Sequence, residues 1–143
     1  MIRKFESRDL EGVMELWLET NISAHSFIPS NYWRENYKAV KEMLPKATIY
    51  VHQEKEQLDG FVGLVDSYIA GIFVREDQQS HGIGKKLLNR VKQTHDALLL
   101  DVFVDNTRAV QFYLRQGFVV RKEHLDEKTQ EKEYRMEWQR TKE

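Results

Sequence analysis

Gln79-Ser80-His81-Gly82-Ile83-Gly84-Lys85 separates an apolar run, residues 68–74, from a helical pattern, residues 85–95. The first turn of a helix has backbone N–H groups without intrahelical partners at the positive end of the helix dipole, so a phosphate can bind there. Gly82 and Gly84 lack Cβ atoms, which lets the backbone approach a ligand closely. The stretch therefore predicts a strand, an anion-binding turn and a helix, with an ordinary strand-to-helix turn as the alternative.

Two common glycine-rich phosphate motifs do not fit this turn. A Rossmann fingerprint needs a third glycine three residues after Gly84, where Leu87 stands. A P-loop needs Ser or Thr after its Lys, and Lys86 follows Lys85. Dinucleotide and P-loop nucleotide sites are therefore disfavoured.

The turn resembles motif A of the GNAT N-acetyltransferase superfamily, written Gln/Arg-x-x-Gly-x-Gly/Ala, and Gln79-x-x-Gly82-x-Gly84 fits it without a gap. A second stretch, residues 98–106, ends in Asn106 and is followed by Phe112-Tyr113 and Gly117-Phe118. This order is similar to the family's second signature, in which an Asn precedes a helix ending in Phe-Tyr and Gly-Phe. The chain thus resembles a small bacterial single-domain member of the superfamily.

The spacing of apolar residues gives the element order βααβββαβαββ, and 143 residues suit one domain, residues 1–143. The resemblance implies a mixed α/β (α+β) GNAT fold, with a central, mostly antiparallel mixed sheet and flanking helices. Residues 68–74 and 98–104, joined through a helix, should run parallel. In the family these two strands splay apart, and the pantetheine of acetyl-CoA lies between them.

Several element boundaries can be predicted as well. The segment 54–59, in which four of six residues are charged, predicts a turn before a strand that begins near Phe61. The last strand is expected over residues 134–138, exposed and able to support a dimer. The other expected elements are strands over residues 2–5, 48–53 and 118–121 and helices over residues 10–21, 31–44 and 107–116.

Composition restricts the class of protein. The chain is 41% hydrophobic and 31% charged, as in globular proteins, and no segment approaches the roughly 20 apolar residues of a membrane span. There is no cysteine, which excludes disulfides and a cysteine nucleophile. A net charge of −1 gives no field to attract nucleic acid, and the amino terminus lacks the pattern of a signal peptide. We expect a cytosolic protein without nucleic-acid or membrane partners.

The resemblance also implies contacts with acetyl-CoA, used as a cosubstrate without a metal. A backbone N–H of residues 71–73 is expected to bind the thioester oxygen. Asn106 is either a cofactor contact or a plain helix N-cap. The implied cofactor-binding residues are Ile72, Phe73, Val74, Gln79, His81, Gly82, Ile83, Gly84, Lys85, Asn106, Ala109, Phe112 and Tyr113.

Two proton transfers need side chains. In the family, the Tyr at the position of Tyr113 protonates the departing thiolate, although a phenol beside Phe112 can equally be a core residue. A lysine-type amine is only about 0.1% neutral near pH 7.4, so a base must remove its proton. Asp101 and His25 are the first candidates, followed by Asp66 and His81.

The acceptor groove is expected to contain four aromatic side chains, although core packing is an alternative for Trp33. These predicted substrate-binding residues are Phe27, Tyr32, Trp33 and Tyr68. The predicted activity is direct transfer of the acetyl group of acetyl-CoA to a primary amine in a ternary complex. The acceptor is a protein lysine, a protein amino terminus or a small amine, and the protein a monomer or homodimer. The alternative is a CoA-binding sensor without turnover.

Overall fold

The computed structural model describes residues 1–141 and confirms the predicted order of elements. No helix within these residues is long and apolar enough to cross a membrane. The strands are β1 (Ile2–Lys4), β2 (Thr48–Glu54), β3 (Gln57–Val65), β4 (Tyr68–Val74), β5 (Ala97–Phe103), β6 (Val119–Asp126) and β7 (Glu131–Gln139). The helices are α1 (Leu10–Ala24), α2 (Ser30–Met43), α3 (Ile83–Lys92) and α4 (Thr107–Arg115).

The strands form one seven-stranded sheet in the order β1-β2-β3-β4-β5-β7-β6. Only β4 and β5 pair in parallel, and the other neighbours are antiparallel. The parallel pairing is limited to Tyr68 with Leu99 and Ile69 with Leu100. Beyond Ile69 the two strands separate, which confirms the predicted splay at the centre of the sheet.

Each face of the sheet has its own apolar cluster. On β5, Leu98, Leu100 and Val102 are buried in the cluster that contains the apolar stripe of α3. The intervening residues of β5 point to the opposite face, where Phe103 packs against the cluster formed with α1 and α2. Helices on both faces thus hold the separated strands from either side.

The predicted turn at residues 54–59 is shorter than expected. The strand β3 begins at Gln57, and the reversal is made at Lys55, whose φ is 57°. Asp59 therefore lies inside the strand, where it is 3% exposed and its Oδ1 lies 2.6 Å from His52 Nδ1. Charged residues suggested a turn, but this carboxylate is buried because a histidine on the neighbouring strand binds it.

The predicted exposed strand at residues 134–138 is wrong in its placement. This segment belongs to β7, which is paired on both sides, with β5 and with β6. Met136, at its centre, is fully buried. The edge strand at this end of the sheet is β6, which extends to Asp126 instead of ending near residue 121.

The buried pair between His52 and Asp59 can be tested by its effect on stability. We expect Asp59→Ala to lower the free energy of unfolding by about 1–3 kcal/mol, because it leaves a buried imidazole N–H without an acceptor. Asp77→Ala is the control, since Asp77 pairs with Arg75 at the surface and its loss should change stability by less than about 0.5 kcal/mol. Urea denaturation measures both, and equal losses would contradict the prediction.

Candidate active site

The gap between β4 and β5 opens into a cavity of about 620 Å³. The end of α1, the second half of β4, the first turn of α3 and most of α4 form its walls. The predicted residues that line it are His25, Ile72, Phe73, Val74, Gln79, Gly82, Ile83, Gly84, Lys85, Asn106, Ala109, Phe112 and Tyr113. A separate cavity of about 710 Å³ beside β1 and the start of α1 contains none of the predicted residues.

The glycine turn has the backbone geometry of an anion site. Gly82 precedes α3 with a φ of 83°, and the helix starts at Ile83, two residues earlier than expected. Within residues 1–141, no acceptor binds the N–H groups of residues 83–85, and no side chain caps the helix. These N–H groups are available to an anion because the first intrahelical bond begins only at Lys86.

Two side chains tie this turn to its surroundings. The Gln79 amide donates to the carbonyl of Val74 over 3.0 Å and so fastens the turn to β4. Arg108 reaches across from α4 and donates to Ser80 Oγ over 2.8 Å. The guanidinium of Arg108 therefore adds positive charge to the turn, whereas the predicted His81 is exposed and lies outside the cavity lining.

The edge of β4 that faces β5 is open beyond Ile69, because no residue further along the strand pairs with β5. Gly71 lies in close contact with a side chain of the same strand. A Cβ built on it would lie 2.4 Å from Cζ of Phe73, whose ring folds back over the strand. Of this open edge, residues 72–74 line the cavity, where their unpaired backbone groups can bind a ligand.

Tyr113 lies at the inner wall of the cavity and is 7% exposed. Its ring packs against Phe112 and Phe118, with centroids 5.3 and 5.5 Å away. Its hydroxyl forms no hydrogen bond with any group in residues 1–141. Burial raises the pKa of Tyr113, so the phenol stays protonated and can donate. The side chain is both a core residue and a free donor.

His25 and Asn106 are joined across the cavity, a contact that sequence reasoning missed. Asn106 caps α4 by accepting from the N–H of Ala109 over 3.3 Å, and its Nδ2 lies 3.1 Å from His25 Nε2. His25 Nδ1 in turn lies 3.0 Å from the carbonyl oxygen of Asn21. Burial lowers the pKa of His25, which favours the neutral ring.

Aromatic side chains surround the His25 ring. Trp33 stacks on it at 5.2 Å, and Phe27 and Phe103 meet it edge-on at 5.7 and 5.1 Å. Trp33 is only 8% exposed, which leaves little of its ring for an acceptor. Phe27 and Tyr32, from the same predicted groove, are half-buried and therefore expose more of their side chains than Trp33 does.

Asp101 lies on the face of β5 opposite to Leu100 and outside the cavity lining. Its carboxylate accepts from the Tyr68 hydroxyl over 2.9 Å and from Arg135 over 2.8 and 3.1 Å. Burial raises the pKa of Asp101, but the hydrogen bonds from Arg135 and Tyr68 outweigh it and hold the pKa below its ordinary value. This carboxylate is therefore a weak base.

The same face carries further charged groups that the sequence did not single out. His124 Nε2 lies 3.1 Å from Glu133 and 3.6 Å from Asp101. Burial and the charge of Asp126 raise the pKa of Glu133, and burial, Asp126 and Glu133 raise that of Tyr32. We call this set, Tyr32, Asp101, His124, Asp126 and Glu133, the acidic face. The sequence signal that could have indicated this face is the series of polar residues at alternate positions of β7.

The remaining candidate base, Asp66, lies apart from the cavity. It is exposed in the turn between β3 and β4, with a φ of 55°. Within residues 1–141 no group of three His, Cys, Asp or Glu side chains could hold a metal ion.

Comparisons with known proteins agree with this geometry. Residues 21–138 match the protein family described as "Acetyltransferase (GNAT) domain". The chain is 36% identical over 140 residues to the peptidyl-lysine N-acetyltransferase YiaC of Escherichia coli (strain K12), covering 96% of both chains.

Solved structures share the fold. The solution structure of apo-form YjaB from Escherichia coli has a TM-score of 0.86 at 24% identity, covering 99% of this chain and 98% of that one. The Salmonella typhimurium protein yncA, solved with its cofactor acetyl-CoA, has a TM-score of 0.69 at 15% identity, covering 100% and 95%.

The link between Asp101 and Arg135 predicts a pH dependence. A carboxyl whose pKa is lowered by folding contributes stability above its unfolded pKa of about 3.9, and this stability is lost as the pH falls through the folded pKa. We expect Arg135→Met to lower the free energy of unfolding by about 1 kcal/mol at pH 7, a figure reduced for solvent screening because the guanidinium is 38% exposed. The difference from wild type should shrink below about pH 4.

Urea denaturation between pH 7 and pH 3 measures this difference. Arg34→Met is the matched control, because Arg34 donates to Ser30 and its removal breaks no ion pair with a carboxylate in residues 1–141. A loss for Arg135→Met that stays constant down to pH 3 would show that Asp101 does not depend on Arg135 for its ionisation.

Proposed function

The chain belongs to the GNAT acetyltransferase family, and on this premise we propose that it transfers the acetyl group of acetyl-CoA directly to the side-chain amine of a protein lysine. Acetyl-CoA-dependent transfer to an amine follows from the family itself. The observation that carries the proposal is the cavity between β4 and β5, which has unpartnered N–H groups at one end and the free hydroxyl of Tyr113 in its wall.

The cavity suits acetyl-CoA at both ends. The N–H groups of residues 83–85, with Lys85 and Arg108 nearby, fit the phosphates of the cofactor. The open edge of β4 fits the amide groups of pantetheine, since backbone groups there have no partner in β5. When bound, acetyl-CoA supplies an acetyl group activated as a thioester.

We propose that Tyr113 donates a proton to the thiolate that leaves when the amine attacks. Among residues 1–141 its hydroxyl has no competing acceptor, and burial keeps it protonated. Burial makes the Tyr113 phenol a weaker acid than it is in water, and it also disfavours a thiolate that forms beside it, so that the thiolate becomes a better proton acceptor. The transfer forms the S–H bond of CoA and leaves Tyr113 as a phenolate, which is restored by the proton that the attacking amine loses or by one from water.

A lysine acceptor is supported by two observations. The relative that shares 36% identity over 96% of the chain is named as a peptidyl-lysine N-acetyltransferase. On the opposite side of β5, the acidic face has a charge that favours a cationic side chain. Asp101 is proposed to orient Tyr68 for this acceptor through the bond between them.

Three further properties remain predictions from the sequence. They are the cytosolic location, the absence of nucleic-acid and membrane partners, and the choice between monomer and homodimer. The alternative of a CoA sensor without turnover is not favoured, because the relatives are named as enzymes and Tyr113 is present with its hydroxyl free.

Tyr113→Phe tests the proposed acid. Packing against Phe112 and Phe118 is retained, so we expect kcat to fall about 100-fold while KM for acetyl-CoA stays within about twofold. Thiol release with a lysine peptide measures this. Tyr50→Phe is the control, since Tyr50 is also buried but lies outside the cavity lining. Full turnover in Tyr113→Phe would contradict the proposal that Tyr113 is the acid.

Gly82→Ala tests the anion site. A Cβ at Gly82 meets no atom within 4 Å, but the φ of 83° strains an Ala by about 1–2 kcal/mol and should shift the start of α3. We expect KM for acetyl-CoA to rise about tenfold with kcat little changed. In the control Gly63→Ala, the nearest atom to the new Cβ is 3.9 Å away and φ is ordinary. An unchanged KM in Gly82→Ala would argue against phosphate binding at this turn.

A further inference from the structure

A series of three hydrogen bonds links the start of α4 to the end of α1, and its middle bond crosses the cavity. They join the N–H of Ala109 to Asn106 Oδ1 (3.3 Å), Asn106 Nδ2 to His25 Nε2 (3.1 Å) and His25 Nδ1 to the carbonyl of Asn21 (3.0 Å). All four residues line the cavity. We call this series of bonds the clasp. Its middle bond joins two residues, His25 and Asn106, that lie 81 positions apart in sequence.

The two ends of the clasp fix every proton in it. A backbone N–H can only donate and a backbone carbonyl can only accept. Ala109 therefore makes Asn106 Oδ1 the acceptor, which turns the amide N–H groups toward His25. Asn21 makes His25 Nδ1 the protonated nitrogen, which leaves Nε2 as an acceptor. Only a neutral His25 in the Nδ1–H tautomer satisfies both ends, because a second proton on Nε2 would face the amide N–H of Asn106.

The His25 ring is also held from its sides. Trp33 from α2, Phe27 from the loop before it and Phe103 from β5 pack around it, and the residue is 9% exposed. Within residues 1–141, no charged side chain contributes to the shift of its pKa, which burial lowers. The hydrogen bond to the Asn21 carbonyl acts in the opposite direction, but burial outweighs it, so the neutral imidazole is favoured.

We propose that His25 is a positioning residue, which holds the Asn106 carboxamide in one orientation for acetyl-CoA, and not the base that removes the proton of the amine. The Nε2 lone pair that a base would use already accepts from Asn106, and Nδ1 is held by Asn21. The part of this inference that concerns acetyl-CoA binding rests on the proposed function. The clasp itself is a property of the protein alone.

A matched pair of substitutions separates positioning from base catalysis. His25→Asn places an amide near the Nδ1 position and removes the acceptor at Nε2, whereas His25→Gln can place a carbonyl oxygen near the Nε2 position. We expect His25→Asn to raise the calorimetric Kd for acetyl-CoA about tenfold and His25→Gln to restore it to within about threefold of wild type. With a lysine peptide, His25→Gln should also restore most of the kcat lost in His25→Asn.

Base catalysis makes the opposite prediction. Neither amide is basic, so both variants would lose kcat alike, by about 100-fold or more, with Kd unchanged. That result would overturn the proposal. Because Kd for acetyl-CoA is measured without an acceptor, a wild-type protein that acetylates no lysine peptide would contradict the proposed acceptor and leave the test of the clasp intact.

Nitrogen NMR of the full chain without ligand tests the clasp directly. We expect His25 to be neutral at pH 7 with its proton on Nδ1, and Asn106→Asp to raise the pKa of His25, because a carboxylate then faces Nε2. A proton on Nε2 in the wild type, or an unchanged titration of His25 in Asn106→Asp, would overturn the proposal. Both readouts are independent of turnover and of cofactor binding.

Discussion

The separation of β4 from β5 is the constraint on which the rest of the molecule depends. After two paired positions, β4 stays bonded to β3 as far as Val74, and β5 stays bonded to β7 as far as Phe103. Each strand is therefore held on its outer side while its inner edge is open. Backbone groups left unpaired inside a protein are costly unless a ligand or water binds them. An extended ligand with amide groups, such as pantetheine, removes this cost along the whole gap.

In the proposed mechanism, the two faces of β5 have different chemical tasks. Tyr113, on the side of α4, is a free donor in an apolar wall, where a proton can be given to a buried thiolate. Asp101, on the other side, is already bound by Arg135 and Tyr68. A carboxylate with a lowered pKa holds a neighbouring group in place better than it removes a proton. Burial and hydrogen bonding thus decide between chemical and structural roles for residues that look equally reactive in sequence.

Local signals predicted the parts of the site that lie close together in the chain. The turn around Gly82 and the cap at Asn106 could be read from sequence because each depends on a few consecutive residues. The position of β7 between β5 and β6 could not, because alternating residues show that a strand exists and not which strands it pairs with. The contact between His25 and Asn106 joins distant segments, and a single sequence contains no signal for it.

A net charge of −1 conceals a separation of charge that suits two unlike substrates. The cofactor is anionic, and Lys85 and Arg108 lie at the turn where its phosphates would bind. A lysine acceptor is cationic. On the acidic face Arg135 already neutralises Asp101, so the remaining negative charge comes from Asp126 and Glu133, whose repulsion adds to the burial that raises the pKa of Glu133. A cation that arrives there relieves this repulsion and a neutral molecule does not, so the residues proposed to favour a lysine would also discriminate against uncharged acceptors.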